Sequence, residues 1–310
     1  MSTVLYTHPV CLEHDPGPAH PEGPQRLIRI MQALEAETFR GLRRQEAPLG
    51  TVDHLILAHD PGYVAAIMEL DPAPGERLAL DADTAVSAGS IEAALRGAGG
   101  AVAAVDAVMQ GSAGNAFVAT RPPGHHAERA RAMGFCLFNS AAVAARHAQA
   151  RWGAERVAVV DFDVHHGNGT QDIFWDHENL FYASSHQRPC YPGTGARSET
   201  GSANNVCNAP LPPGTGGRAF RTAWNDTILP AVETFRPDLL IVSAGFDAHA
   251  ADPLAQLELQ TEDFGWLATA LLACAAAICR GRLVSVLEGG YDLEALAESC
   301  ALYISTLLRG

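Results

Sequence analysis

The sequence predicts an α/β fold with a mostly parallel central sheet, on three observations. Short β-branched runs alternate with longer alanine-rich stretches of helical character. Several runs are apolar at successive positions, as in VAVV and LLIV, the pattern of strands covered on both faces. Four of the runs lead directly into histidines, aspartates or a tyrosine, and open α/β sheets place their ligands beyond the carboxyl ends of the strands.

Taken in order, the first strand is 4–6, followed by a helix near 24–38 that Pro24 can open, since proline fits the first helical turn. An alanine-rich helix near 87–109 leads into strand 116–120. A helix near 139–151 leads into strand 156–161, and strand 180–184 follows. The stretch 185–217 is rich in Gly, Pro, Asn and Ser and reads as a long connection, a class that is often functional. A helix near 218–235 precedes strand 238–243. A helix near 262–279 has Thr261 as its cap, with Glu262 and Asp263 in its first turn. Strand 283–287 and a helix near 293–308 close the chain. With no linker-like shift in composition and no internal repeat, residues 1–310 read as one domain.

Composition narrows the function. At 47% hydrophobic and 18% charged residues the chain is globular, not disordered. All 21 basic residues are arginine, which excludes a Schiff-base, P-loop or kinase-type lysine. The formal net charge of −14, with no arginine cluster, argues against a nucleic-acid partner. An acidic surface steers cationic partners, or simply keeps the chain soluble. Seven cysteines, an odd number without a C-x-x-C pair, argue against a disulfide framework and a zinc ribbon. The start, MSTVLYTHPVCLEHD, has no basic n-region or apolar h-region, and the longest apolar run, 266–279, is too short to cross a bilayer. The expectation is a cytoplasmic protein with no membrane partner.

The chemistry-bearing segments are RPPGHHA (121–127), DFDVHHGNGTQ (161–171), SAGFDAH (243–249) and EGGY (288–291). Any one of these has a structural explanation, but four strand ends carrying such residues do not arise from scattered core histidines. Asp161, Asp163 and His165 are spaced two apart, so an extended backbone points them to one side. Asp and His together ligate metals, and Asp247 adds a second carboxylate. Two carboxylates and one imidazole leave an open position for water on Zn2+ or Fe2+. The adjacent His125 and His126 could be two further ligands. Tandem side chains diverge, so proton transfer beside the metal is the better use. Asp161 and Asn168 are candidate partners for their second ring nitrogens. Tyr291 follows two glycines that allow a close backbone approach, and its phenol could serve a developing oxyanion.

These segments, with GFCLFN (134–139), YPGTG (191–195) and HPEGPQR (20–26), resemble the histone deacetylase superfamily, closest to its class II branch and the bacterial histone deacetylase-like amidohydrolases. The match runs from about residue 8 to 291. The resemblance implies an arginase/deacetylase fold, a single domain whose central sheet of about eight mostly parallel strands lies between helices. It implies a zinc-dependent (Zn2+) hydrolase that removes acetyl or related acyl groups from lysine or a related amine. By motif, Asp163, His165 and Asp247 would hold the metal. His126 would be general base and then acid, His125 its electrostatic partner paired with Asp161, and Tyr291 the oxyanion donor. The substrate tunnel would use Gly134, Phe135, Tyr191 and Leu254, with Asp83 matching the aspartate that grips the substrate backbone. Potassium (K+) would bind at Asp161, Asp163, His165, Ser184 and Ser185, partly through carbonyls, and a second K+ at Phe174, His177 and Leu180. Asn168 stands where class I members have aspartate, as in class II. It can orient His126 but adds no charge. Tyr191 replaces a common phenylalanine, making the wall more polar.

Two rival readings are weaker. A binuclear ureohydrolase of the same fold needs second-metal carboxylates, where this chain has Gly167 and His249. A non-catalytic acyl-amine binding protein would have lost a ligand or the tyrosine, and this chain keeps them. Among substrates, acetylated lysine, acetylated polyamines and other small amides all fit. Fe2+ or Co2+ would suit the ligands as well as Zn2+, and the family's range of assemblies leaves room for a homo-oligomer.

Overall fold

The computed structural model describes residues 2–310. Its strands are β1 (Thr3–Thr7), β2 (Arg43–Glu46), β3 (Arg77–Ala79), β4 (Ala85–Ser87), β5 (Asn115–Val118), β6 (Val157–Asp161), β7 (Leu180–Gln187), β8 (Val206–Leu211), β9 (Leu239–Ala244) and β10 (Leu283–Leu287). Eight of them form one parallel sheet in the order β2-β1-β5-β10-β9-β6-β7-β8, while β3 and β4 make a separate hairpin. The helices are α1 (Gln25–Ala33), α2 (Val52–Leu55), α3 (Pro61–Met68), α4 (Ser90–Met109), α5 (Ser140–Trp152), α6 (Asn168–Phe174), α7 (Gly217–Ala223), α8 (Leu229–Phe235), α9 (Thr261–Ile278) and α10 (Leu293–Arg309).

The unbroken apolar strands make sense in this arrangement. Alternate residues feed two cores, one on each face of the sheet. Ala158, Val160, Leu240 and Val242 pack with Leu267 and Leu271 of α9 and Tyr303 of α10. Val157, Val159, Leu239 and Ile241 pack with Ala98 and Val102 of α4 and Val143 of α5. The fold is a single-domain sandwich of helices around one sheet, as the sequence predicts.

Some local expectations need correction. The stretch 185–217 is not one long connection, because β7 continues to Gln187 and β8 forms within it. Pro210 sits in β8, which is an edge strand, where a missing N–H is tolerated. β2, with the wholly exposed sequence RRQE, is the other edge. Pro24 lies just before the first helical residue of α1. At α9 the cap is Gln260, in a capping box with Asp263, and Thr261 is the first helical residue. The predicted 218–235 helix contains a π turn at Trp224–Ile228. Pro230 lacks an N–H for the preceding turn, which accounts for the widening. α9 is the one described helix long and apolar enough to span a bilayer, and Phe264, Leu267, Leu271 and Cys274 of that helix are buried in the core.

Candidate active site

The carboxyl ends of β5, β6, β9 and β10 converge, and each delivers a segment singled out in the sequence. After β6 the backbone is folded onto its own carboxylates: Asp163 N donates to Asp161 Oδ1 at 3.1 Å and His165 N to Asp163 Oδ1 at 2.9 Å. Asp163, His165 and Asp247 are buried, with ligand atoms within 4.8 Å of one another. His165 Nδ1 is 3.1 Å from Asp163 Oδ1 and 3.2 Å from Asp247 Oδ2. The second oxygen of each carboxylate is fixed, Asp163 Oδ2 by Gly289 N at 2.8 Å and Asp247 Oδ1 by Val164 N at 2.8 Å. Gly289 is required here, because a Cβ would lie 2.1 Å from Asp247 Oδ2. Burial and the charge of Asp163 push Asp247 up to about 7. Two converging buried carboxylates with one imidazole suit a divalent cation, which would relieve that repulsion.

The histidine pair flanks this cluster. His125 Nδ1 is 2.9 Å from Asp161 Oδ2, which also accepts from the Tyr182 hydroxyl at 3.0 Å. Burial opposes charge on His125, but Asp163 and Asp161 outweigh it and lift its pKa to about 10. His126 Nδ1 is 2.8 Å from Asn168 Oδ1. The Asn168 amide is itself oriented, since its Nδ2 donates to Glu128 Oε1 at 2.8 Å. An amide oxygen only accepts, so the His126 proton sits on Nδ1 and Nε2 is left as a base. Burial, then the neighbouring His125 and His165, hold the His126 pKa well below its ordinary value.

A cavity of about 230 Å³ opens over these groups. Asp83, His126, Gly134, Phe135, His165, Tyr191, Leu254 and Tyr291 line it, so the five expected tunnel residues come together. Tyr191, 38% exposed, forms the rim. Asp83 is held at the mouth by Thr84 Oγ1 at 2.9 Å, and His20 Nε2 is 3.1 Å from its carbonyl. Gly167 presents no carboxylate, and His249 stacks on Phe264. Among the described residues Asp163–His165–Asp247 is the one such metal-type cluster.

Sequence reasoning missed the groups that support this set. Glu288 Oε2 accepts from Gly124 N (2.7 Å) and His125 N (3.1 Å), fixing the backbone of the histidine pair. Asp252 binds Leu254 N (3.0 Å) and Tyr291 N (2.7 Å), joining the tunnel wall to the tyrosine. Arg26 donates to the carbonyls of Gly290 (2.6 Å) and Glu288 (2.5 Å), with its guanidinium 4.9 Å from the Tyr291 ring centroid. Glu22 pairs with both Arg26 and Arg121. Glu22, Arg26 and Glu288 stand inside segments the sequence had singled out, HPEGPQR and EGGY, and that placement was the available signal. Glu128 and Asp252 gave none.

One expected site differs. The carbonyls of Phe174, His177 and Leu180 do converge, but on the side-chain amide of Asn205, whose Nδ2 lies 2.8, 3.2 and 3.0 Å from them.

Comparison with known proteins gives the family. The histone deacetylase domain profile matches residues 20–307. The chain belongs to the histone deacetylase family. It is 38% identical to the histone deacetylase-like amidohydrolase of Pseudomonas aeruginosa, over 99% of this chain and 86% of that one. It is 36% identical to the polyamine deacetylase HDAC10 of Mus musculus, over 93% of this chain and 45% of that longer protein. The crystal structure of the HDA15 HD domain superposes with a TM-score of 0.92 at 34% identity, covering 99% and 88% of the two chains. This histone deacetylase family member is therefore a hydrolase of the deacetylase/amidohydrolase type.

Proposed function

We propose that the chain is a zinc-dependent deacylase that hydrolyses the amide of an acylated lysine or related amine. The observation that carries this reading is the buried Asp163–His165–Asp247 cluster at the base of a cavity that His126 and Tyr291 also line. A divalent ion there would act as a Lewis acid on the acyl carbonyl and make its water more acidic. His126, neutral and open at Nε2, takes the proton of the attacking water. Tyr291 donates to the oxyanion, and its phenol stays protonated because burial pushes its pKa well above the ordinary value. His126 then returns the proton to the leaving amine, while His125, paired with Asp161, supplies positive charge beside it. Phe135 and Leu254 suit the aliphatic arm of the substrate, and Asp83 at the mouth suits an N–H or ammonium group. An acetylated polyamine fits the same tunnel, and the likeness to the mouse polyamine deacetylase favours keeping it as the second reading. A K+ ion held by Asp161, Asp163, His165, Ser184 and Ser185, partly through backbone carbonyls, is part of this proposal. Ser184 Oγ lies 2.9 Å from His186 Nδ1; donating its proton there leaves oxygen lone pairs free.

The test is turnover of acetyl-lysine peptide, longer acyl-lysine peptide, acetylputrescine and acetylspermidine, with added Zn2+, with chelator and with Asp247→Ala. Chelator-sensitive turnover lost in Asp247→Ala is expected, and the preferred substrate names the class. Tyr291→Phe should lower kcat by about 10²–10³, the usual loss for one oxyanion donor. An unchanged kcat would remove the tyrosine from the mechanism.

A further inference from the structure

We propose that the Asn205 side-chain amide replaces a bound monovalent cation, so that this chain lacks the second potassium site and does not draw on K+ for stability there. The inference rests on the family reading for the expectation of that site and on geometry for its replacement. Phe174 is the last residue of α6, His177 belongs to the turn that follows, and Leu180 opens β7. Their carbonyl oxygens surround Asn205 Nδ2 at 2.8, 3.2 and 3.0 Å. Three converging backbone carbonyls are the type of ligand that replaces the hydration shell of K+. Here a donor that belongs to the chain occupies their centre.

The orientation of the amide is forced. Turning it over would aim Oδ1 at three acceptors and remove the amide's bond to each, leaving Phe174 O and His177 O with only the bonds they accept from His177 N and Leu180 N, 2.9 Å each. Asn205 is 2% exposed, so bulk solvent does not reach the amide. On its other side, Oδ1 accepts from Ala203 N at 3.4 Å. The local backbone is shaped to seat the side chain. Gly201 has φ +73°, and a Cβ there would lie 2.3 Å from Asn205 Oδ1. Asn204 takes a left-handed φ of 54°, and Asn205 O then accepts from Tyr182 N at 3.0 Å as β8 begins. The seat matters to the active site through α6, which starts at Asn168, the partner of His126, and ends at Phe174.

Ion occupancy and stability are read without turnover, so failure here is distinguishable from failure of the deacylase reading. Crystals of the full chain soaked in thallium(I) acetate, a K+ analogue with anomalous scattering, should show no thallium between the three carbonyls. Thermal unfolding of wild type and Asn205→Ala is then compared in KCl, NaCl and choline chloride at equal ionic strength. Any ion at the Ser184 position is common to both proteins, so the difference isolates the second. Asn205→Ala should melt roughly 5 °C lower in choline, from loss of the bonds its amide makes to the three carbonyls. It should regain a large part of that loss in KCl and less in NaCl, with no matching gain in wild type. Thallium at the triad in wild type overturns the proposal, as does a K+ response no larger in the variant than in wild type. Should the variant not fold, the thallium result alone decides.

Discussion

Asn168 holds His126 only as firmly as Glu128 holds Asn168. The amide could present either end to the imidazole, and the Glu128 carboxylate, 2.8 Å from Nδ2, selects the oxygen. Removing that acceptor frees the amide to turn and to pull the His126 proton onto Nε2, the wrong tautomer for a base. Glu128→Ala should therefore lower kcat about tenfold with KM little changed, part of the typical general-base contribution. Glu128→Gln, which keeps an acceptor, should retain most of the activity. Steady-state kinetics of both variants check this, and equal losses would mean that charge rather than orientation is what Glu128 supplies. At this scale the sequence was legible where the chemistry is local. The spacing of Asp161, Asp163 and His165 and the pairing of His125 with Asp161 needed only a motif. Glu288 was not legible, because the backbone it holds lies 164 residues away. Asn205 was not legible either, because nothing in an asparagine announces that three carbonyls will surround it.

The elements that were legible are the central ones. β5, β6, β9 and β10 are buried on both faces, so their residues are mostly apolar, with Asn115, Ser243 and Ser285 as small polar exceptions, and they end abruptly at polar segments. The edges escape such reading. β2 pairs on one side only and can be wholly polar, and β8 carries a proline. The joint between the first loop and β10 is likewise invisible in periodicity, since it is made by charges. Glu22, fully buried, pairs with Arg26 at 2.8 Å and Arg121 at 2.7 Å, and Arg121 also binds the carbonyls of Cys11 and His14. Removing one charge from a buried set leaves the others uncompensated, at about 3–5 kcal/mol. Glu22→Gln should lose stability on that scale in urea unfolding. It should also weaken turnover, because Arg26 carries the Gly290 carbonyl next to Tyr291. A stability loss under about 1 kcal/mol would show that the arginines are satisfied by carbonyls alone.

Over the whole molecule, acid should weaken the fold well before its exposed carboxylates titrate, through buried histidines whose pKa burial lowers: His166 to about 3, His186 to about 4 and, behind the site, His59. This ring, 2% exposed, accepts from Asn139 N at 2.9 Å through Nε2 and faces the Glu128 carbonyl at 3.0 Å through Nδ1. Neutral imidazole meets both needs, whereas the cation would turn a second donor on Asn139 N–H. Burial accordingly lowers the pKa to about 4, against roughly 6.5 in the unfolded chain. The folded state then binds fewer protons than the unfolded one between these values. Stability from this group is complete above about pH 6.5 and falls as pH drops, by up to about 1.4 kcal/mol per unit, until the folded pKa is passed near 4. Glu22 adds its loss only below the ordinary glutamate range. Its folded pKa is depressed: burial opposes the charge, but Arg121, His14 and Arg26 outweigh it. Urea unfolding of wild type from pH 7.5 to 4.5 should show the slope, and His59→Gln, whose amide can donate and accept without titrating, should flatten it by about one proton. A slope that survives the substitution unchanged would assign the acid sensitivity to other groups. His59 binds the backbone of both the Glu128 and Asn139 segments, so the same titration loosens the wall behind His126 as the fold itself gives way.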